Sequence, residues 1–136
     1  MSIEDLCALP VKGIVADDAV LFIWITSPLL AECWPVIAAW GFKYKASFVW
    51  DKVRPNFGHY NSVRHELLLI ATRGSCLPDG DAGANSVQVI ERGSKHSEKP
   101  LEFMDLISSM YKTGKRIELF SRAKRDGWEA WGNEVE

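Results

Sequence analysis

Three clusters of residues in this 136-residue chain could do chemistry. The first is the tail, RIELFSRAKRDGWEAWGNE, from Arg116 to Glu134. Ile117 to Phe120 is a short apolar run between charges and reads as a buried strand. Four of the six residues from Ser121 to Asp126 are charged. In an open α/β sheet, ligands bind just past the carboxyl ends of the strands. A basic turn there, followed by Trp128, Trp131 and the polar pair Asn133–Glu134, suits a ligand with a ribose, a charge and a planar base. An ordinary strand exit with solvated charges has the same pattern. The second cluster is NSVQVIERGSKHSEKP, Asn85 to Pro100. It carries Lys95, His96 and Lys99 between a short apolar run and a proline placed to open a helix. The third, Asp51 to Glu66, combines Lys52, Arg54, Phe57, His59, Tyr60, Arg64 and His65. Aromatics among basic residues can stack a base while holding phosphate.

The elements that must position these clusters follow from periodicity and punctuation. Ser2 to Leu9 reads as a short helix, with Ser2 as N-cap and Asp5 at the capping-box position. Ala19 to Thr26 is a continuous apolar run suited to a central strand. Pro28 opens a helix through Ala39, with Leu29, Cys33, Val36, Ile37 and Trp40 on one side, and Gly41 ends it. Tyr44 to Trp50 and Glu66 to Thr72 read as strands. Val53 to Val63 reads as a loop, with Pro55 and Gly58, and Gly74 to Ala84 as a surface loop. Val87 to Ile90 is a further strand. The helix from Leu101 to Tyr111 would pack Phe103, Leu106, Ile107 and Met110 on the sheet. With Ile117 to Phe120 this makes a right-handed crossover, both basic turns lying at one sheet edge. Trp24, Trp34 and Trp40 read as core. The whole describes one α/β domain.

Bulk properties narrow the class. The hydrophobic fraction, 47%, is enough for a core. The longest apolar run, Ala19 to Ile25, is too short to span a bilayer, and no secretory n-region precedes it. Cys7, Cys33 and Cys76 are few, odd in number and widely spaced. They form no metal pattern and point to a reducing, cytoplasmic setting. The net charge of −2 is unevenly placed. Met1 to Phe42 has one basic residue against five acidic, −4; Lys43 to Arg73 has six against two, +4; Arg92 to Arg125 has nine against four, +5. The two basic stretches are also where the proposed loops lie, and Lys and Arg gathered on one face would attract phosphate. A mixed solvated surface gives the same counts. There is no G-x-G-x-x-G turn for a dinucleotide.

Beyond these readings the motifs resemble a known family. H-S-x-K-P (His96 to Pro100), I-E-L-F-x-R (Ile117 to Arg122) and the terminal G-W-x-x-W-G-N-E are similar to the end of the MT-A70 methyltransferases. These are S-adenosylmethionine-dependent enzymes that methylate adenine N6 in RNA or DNA. L-F-I-W-I-T (Leu21 to Thr26), A-W-G-F-K-Y (Ala39 to Tyr44), F-V-W-D-K (Phe48 to Lys52), G-H-Y (Gly58 to Tyr60) and R-H-E-L-L-L-I-A-T-R-G (Arg64 to Gly74) resemble its earlier blocks, in order and spacing. The signature D-P-P-W, which forms much of the family's pocket, does not occur here. The chain therefore resembles the C-terminal part of the domain: a Rossmann-like methyltransferase sheet with flanking helices, incomplete on its N-terminal side. A truncated frame, a split protein and a degenerate relative all fit.

The resemblance implies roles. Glu66 and Lys52 fall in active-site blocks, and Glu66 could accept a hydrogen bond from an adenine amino group. A strand-end ion pair of Glu66 with Arg64 or Arg73 is the structural alternative. Lys99 and Arg122 match donor contacts, and Asn133 and Glu134 match the pair that binds the donor ribose. Ala123-Lys124-Arg125 differs from the family pattern at the donor's adenine. Arg54, His59, Tyr60, Arg64 and His65 are the candidate nucleic-acid contacts. The target base must be flipped out or single-stranded. Methylating an amino group needs little proton abstraction during attack, so the histidines are binding or structural residues. Three functions compete: an adenine-N6 methyltransferase or its C-terminal part, an inactive subunit that binds nucleic acid or a partner, and an unrelated nucleotide-binding module. Without D-P-P-W, the isolated chain is expected to transfer no methyl group. The family's missing strand lies beside Ala19 to Thr26, so an open apolar edge there would favour a homodimer or a partner chain.

Overall fold

Period-two patterning along the strands organises the molecule into layers. A computed structural model describes residues 1–93, 98–120 and 125–132. Strands β1 (Ala19–Ile25), β2 (Lys43–Phe57), β3 (Ser62–Arg73) and β4 (Val87–Val89) form one sheet in the order β1-β3-β2-β4. β3 is antiparallel to β1 and β2, and β4 is parallel to β2. β1, β2 and β4 therefore run the same way, with their carboxyl ends on one side. Leu21, Ile23 and Ile25 of β1 and Leu67, Leu69 and Ala71 of β3 pack on one face, against α2 (Cys33–Ala39). Phe22, Trp24, Phe48, Trp50, Leu68 and Ile70 pack on the other, against Phe103, Ile107 and Met110 of α3 (Leu101–Met110). The result is a helix–sheet–helix α/β arrangement.

The helices follow their local signals, with one correction. α1 (Ile3–Ala8) carries both hydrogen bonds of the Ser2–Asp5 capping box. Six residues make a marginal helix alone. Packing holds α1, and the Trp40 indole donates to the Leu6 carbonyl at 2.8 Å. The helix expected from Pro28 is instead a 3-10 helix, Ser27–Glu32, followed by α2. Proline lacks an N–H and fits an α-helix only in its first turn. Starting α2 at Cys33 puts Pro35 there. The change of helix type turns Leu29 out to solvent, and Trp34 is 40% exposed, meeting Tyr44 edge-on at 5.3 Å. Cys33, Val36, Ile37 and Trp40 are buried as expected, and Gly41 ends the helix at φ +86°.

Two further expectations are corrected. Val53 to Val63 is no free loop, because β2 runs on to Phe57 and β3 begins at Ser62. Between the pairs Asp51–His65 and Asn56–Val63 the register advances five residues on β2 but two on β3. The surplus is a bulge holding Pro55, where the ladder does not need its missing N–H. Second, β5 (Ile117–Leu119) does not join the main sheet. It pairs in parallel with β6 (Glu129–Trp131) in a separate two-stranded sheet. Ile117 is more than one-third exposed and Phe120, at φ +57°, has left the strand. The expected crossover therefore does not form within a single sheet. No helix among the described residues is long and apolar enough to cross a membrane.

Candidate active site

The pleat of β2 puts Phe48, Trp50 and Lys52 on one face, and Trp50 lies directly opposite Glu66 on β3. Ile25, the last residue of β1, pairs with Leu67, so Glu66 sits one position beyond the end of β1. Lys99 arrives from the segment that leads into α3. These three side chains meet at the carboxyl ends of the parallel strands, where α/β sheets hold ligands. Lys52 Nζ lies 3.0 Å from Glu66 Oε1, and Lys99 Nζ lies 2.6 Å from Glu66 Oε2. Glu66 is the one buried charged residue among those described, 6% exposed. Aromatic rings line the cluster. The Lys52 ammonium stands 5.3 Å from the Trp50 ring centre, and that of Lys99 is 5.3 Å from Trp24. Phe103 of α3 meets Trp24 edge-on at 5.0 Å, and the Trp50 indole is fixed by donating to the Ile90 carbonyl at 2.7 Å.

Burial by itself would push the Glu66 carboxyl up. The hydrogen bonds from Lys99 and Lys52, and their charges, outweigh it and hold the carboxyl below its ordinary value. Two ammoniums share one carboxylate, so the cluster carries one positive charge in excess. The two lysines differ in access, their side chains being 12% exposed for Lys52 and 31% for Lys99. The alternative pairing of Glu66 with Arg64 or Arg73 does not occur. Arg64 is committed to Asp51, Nε to Oδ1 at 2.7 Å and Nη2 to Oδ2 at 3.3 Å. Arg73 is seven residues along β3, roughly 23 Å of extended chain away, and donates to the Lys12 carbonyl.

Of the residues singled out in the sequence, Lys52, Glu66 and Lys99 come together. Arg54, His59, Tyr60, Arg64 and His65 do not line the same cleft. They are strung along the β2–β3 hairpin, with Arg54 paired to Glu91 at 2.7 Å and His59 and Tyr60 exposed in its turn. His65 neighbours Glu66 on β3, so alternation places it on the opposite face. Arg122, Asn133 and Glu134 lie outside the described residues. Trp24, Trp50 and Phe103 were not anticipated as site walls. In the sequence Trp24 reads only as core, although the spacing Phe48, Trp50, Lys52 places an aromatic beside a lysine on one strand face. An open cleft of about 260 Å³ lies between Leu101, Met104, Asp105 and Ser108 of α3 and Arg125, Asp126 and Trp128, and none of the clustered charges lines it.

Several known proteins have similar sequences. The chain is 38% identical over 137 residues to the type II methyltransferase M.MunI of Mycoplasma sp, covering 99% of this chain and 58% of that protein. It is 26% identical over 144 residues to the N6-methyladenosine RNA methyltransferase MTA1 of Cryphonectria parasitica, covering 97% and 42%. It is 23% identical over 134 residues to the N(6)-adenosine-methyltransferase catalytic subunit METTL3 of Homo sapiens, covering 90% and 23%. The chain thus spans less than two-thirds of each of these relatives. The match to the MT-A70 family itself runs over residues 1–134, and the chain belongs to that family.

Proposed function

We propose that this chain forms part of an S-adenosylmethionine-dependent methyltransferase that modifies N6 of adenine in DNA or RNA, on a Rossmann-like sheet. The observation that carries this reading is the buried carboxylate of Glu66 between Lys52 and Lys99 at the carboxyl ends of parallel strands. The relatives named above are methyltransferases, and two of them carry N6-methyladenosine or N6-adenosine activity in their names.

The residues present fit the donor. The cluster has an ammonium more than its carboxylate can neutralise, and the donor's amino-acid end brings a carboxylate. Lys99, the more accessible lysine, would hold it through a charge-assisted hydrogen bond. When bound, S-adenosylmethionine supplies an electrophilic methyl group. Lys52 would then keep Glu66 anionic, and Glu66 would accept a hydrogen bond from the adenine amino group and orient its lone pair. Trp24 and Trp50 exclude water from this side of the site. Arg122, Asn133 and Glu134 are proposed to hold the rest of the donor, and a D-P-P-W segment to complete the pocket beside β1.

Transfer of a radiolabelled methyl group to adenine tests the reading, using protein that includes a D-P-P-W segment and single- and double-stranded DNA and RNA. Glu66→Gln should lower kcat with little change in donor affinity. Lys99→Ala should weaken donor binding about ten- to a hundredfold by calorimetry, the effect of one charge-assisted contact. Full transfer by the Glu66→Gln protein would refute the assignment.

A further inference from the structure

Two aromatic rings stand entirely in solvent at the tip of the β2–β3 hairpin. Phe57 and Tyr60 both have a relative exposure of 101%, as open as in an unfolded chain. A solvated ring pair is unusual on a protein surface unless something covers it. The tip that carries it is built. Gly58 N–H donates to the Asn61 carbonyl at 2.9 Å, and a β-carbon at Gly58 would come within 2.6 Å of that oxygen, so the turn requires glycine. Below the tip, Val53 takes φ +70°, a costly conformation for a β-branched residue, and its N–H donates to Asp51 at 2.9 Å. The bulge re-aims the hairpin. The two-bonded pair of Arg64 with Asp51 braces its base.

The surroundings identify the occupant. A surface for another protein would set such rings among further apolar side chains. Here the polar and cationic Arg54, Asn56, His59, Asn61 and Arg64 outnumber the apolar Val53, Pro55 and Val63 along the hairpin, and three basic residues stand against two acidic ones from Asp51 to Glu66. Arg54 and Glu91 form an exposed pair of the kind that contributes little, so Arg54 can exchange its carboxylate for a phosphate. Rings flanked by cations are the recurring design of single-strand stacking platforms. Ser62, which faces Phe57, lies four positions along β3 from Glu66. That is roughly 13 Å of strand, or about four nucleotide steps at ~3.4 Å each.

Resting on the proposed methyltransferase reading, we propose that Phe57 and Tyr60 form a stacking clamp for an unpaired base flanking the target, about four nucleotides from the adenine at Glu66. The clamp reads no sequence, because every base has a π-face. It sets the register of the strand so that the adenine reaches the buried carboxylate.

The test uses fluorescein-labelled single-stranded oligonucleotides with one adenine in a pyrimidine background, read by anisotropy. Phe57→Ala and Tyr60→Ala should each weaken binding about tenfold, with Phe57→Trp close to the parent. An abasic site walked along the strand should weaken parent binding by a similar factor about four positions from the adenine. The same abasic site should weaken the alanine variants no further. Both rings are wholly exposed, so the variants should keep the parent's circular dichroism. If the parent binds and the variants bind equally well, the clamp is wrong and the methyltransferase reading stands. If the parent binds the methyl donor but no oligonucleotide, the nucleic-acid reading falls and the clamp with it. If light scattering shows that Phe57→Ala dissociates an assembly while oligonucleotide affinity is unchanged, the tip is a protein contact and the clamp is overturned.

Discussion

Removing Glu66 should cost far more stability than removing Lys99, although the two side chains share one short ion pair. Glu66→Ala leaves two ammoniums facing each other without a carboxylate. Lys52, with a side chain only 12% exposed, has little access to water. Removing one partner of a buried pair typically costs about 3–5 kcal/mol, mostly from the uncompensated charge left behind. Lys99→Met does the opposite. It removes the surplus charge, leaves Lys52 and Glu66 as a matched pair, and keeps an unbranched chain beside the Trp24 ring. The loss is one charge-assisted hydrogen bond, brought to the low end of about 1.5–3 kcal/mol by solvent screening of a lysine whose side chain is 31% exposed, and reduced further by relief of the lysine–lysine repulsion. The two variants should therefore differ by about 2 kcal/mol, a factor near thirty in the unfolding constant. Urea unfolding followed by tryptophan fluorescence reads this directly, since Trp24 and Trp50 lie against the two ammoniums.

Acid provides an independent arm. The Glu66 carboxyl is held below its ordinary value of 4.5 in the fold. A depressed carboxylate contributes stability that is fully present above its unfolded pKa and is lost as pH falls through the folded one. Parent stability should therefore decline below about pH 4.5 more steeply than that of Glu66→Gln. Equal destabilisation by Glu66→Ala and Lys99→Met, or parallel acid limbs for the parent and Glu66→Gln, would refute the picture of a buried carboxylate between competing cations.

Gly58→Ala should open the hairpin turn, because its β-carbon would lie 2.6 Å from the Asn61 oxygen. Faster amide exchange confined to residues near the tip would confirm it, and an unchanged exchange pattern would count against it. Asp79 accepts from the Lys112 and Thr113 amides at 2.6 and 3.2 Å, tying the loop before β4 to the end of α3. Its carboxyl is held below the ordinary 3.8, first by the Thr113 hydroxyl and then by the Lys112 amide. Protection of the Lys112 and Thr113 amides, relative to their intrinsic exchange rates, should fall in Asp79→Ala, and in the parent as pH drops below that ordinary value. The outer edge of β1 pairs with no strand among the described residues, and β1 is apolar throughout. The 136-residue chain should therefore self-associate at roughly tens of micromolar; a monomer by light scattering would contradict this.

What was legible in the sequence was what local chemistry decides. The capping box at Ser2, the apolar run of β1 and the buried stripe of α3 each depend on neighbours a few residues apart. The hairpin was missed because Pro55 and Gly58 punctuate the sequence like a loop. The bulge accommodates Pro55 off the ladder, and the turn uses Gly58 for a close backbone approach, so neither ends the pairing. The site falls between these cases. Lys52, Glu66 and Lys99 stand out through the family resemblance, but their meeting depends on distant registers. Trp50 must face Glu66 across two strands, and the segment leading into α3 must bring Lys99, 33 residues further on, to the same carboxylate. The alternative partners, Arg64 and Arg73, were nearer in sequence and lost for geometric reasons: one is captured by Asp51, the other lies at the far end of β3. Proximity along the chain favoured the wrong cations, and the sheet selected the lysines. The same sheet leaves the carboxylate one positive charge too many, which is the feature that a small anionic ligand would recognise.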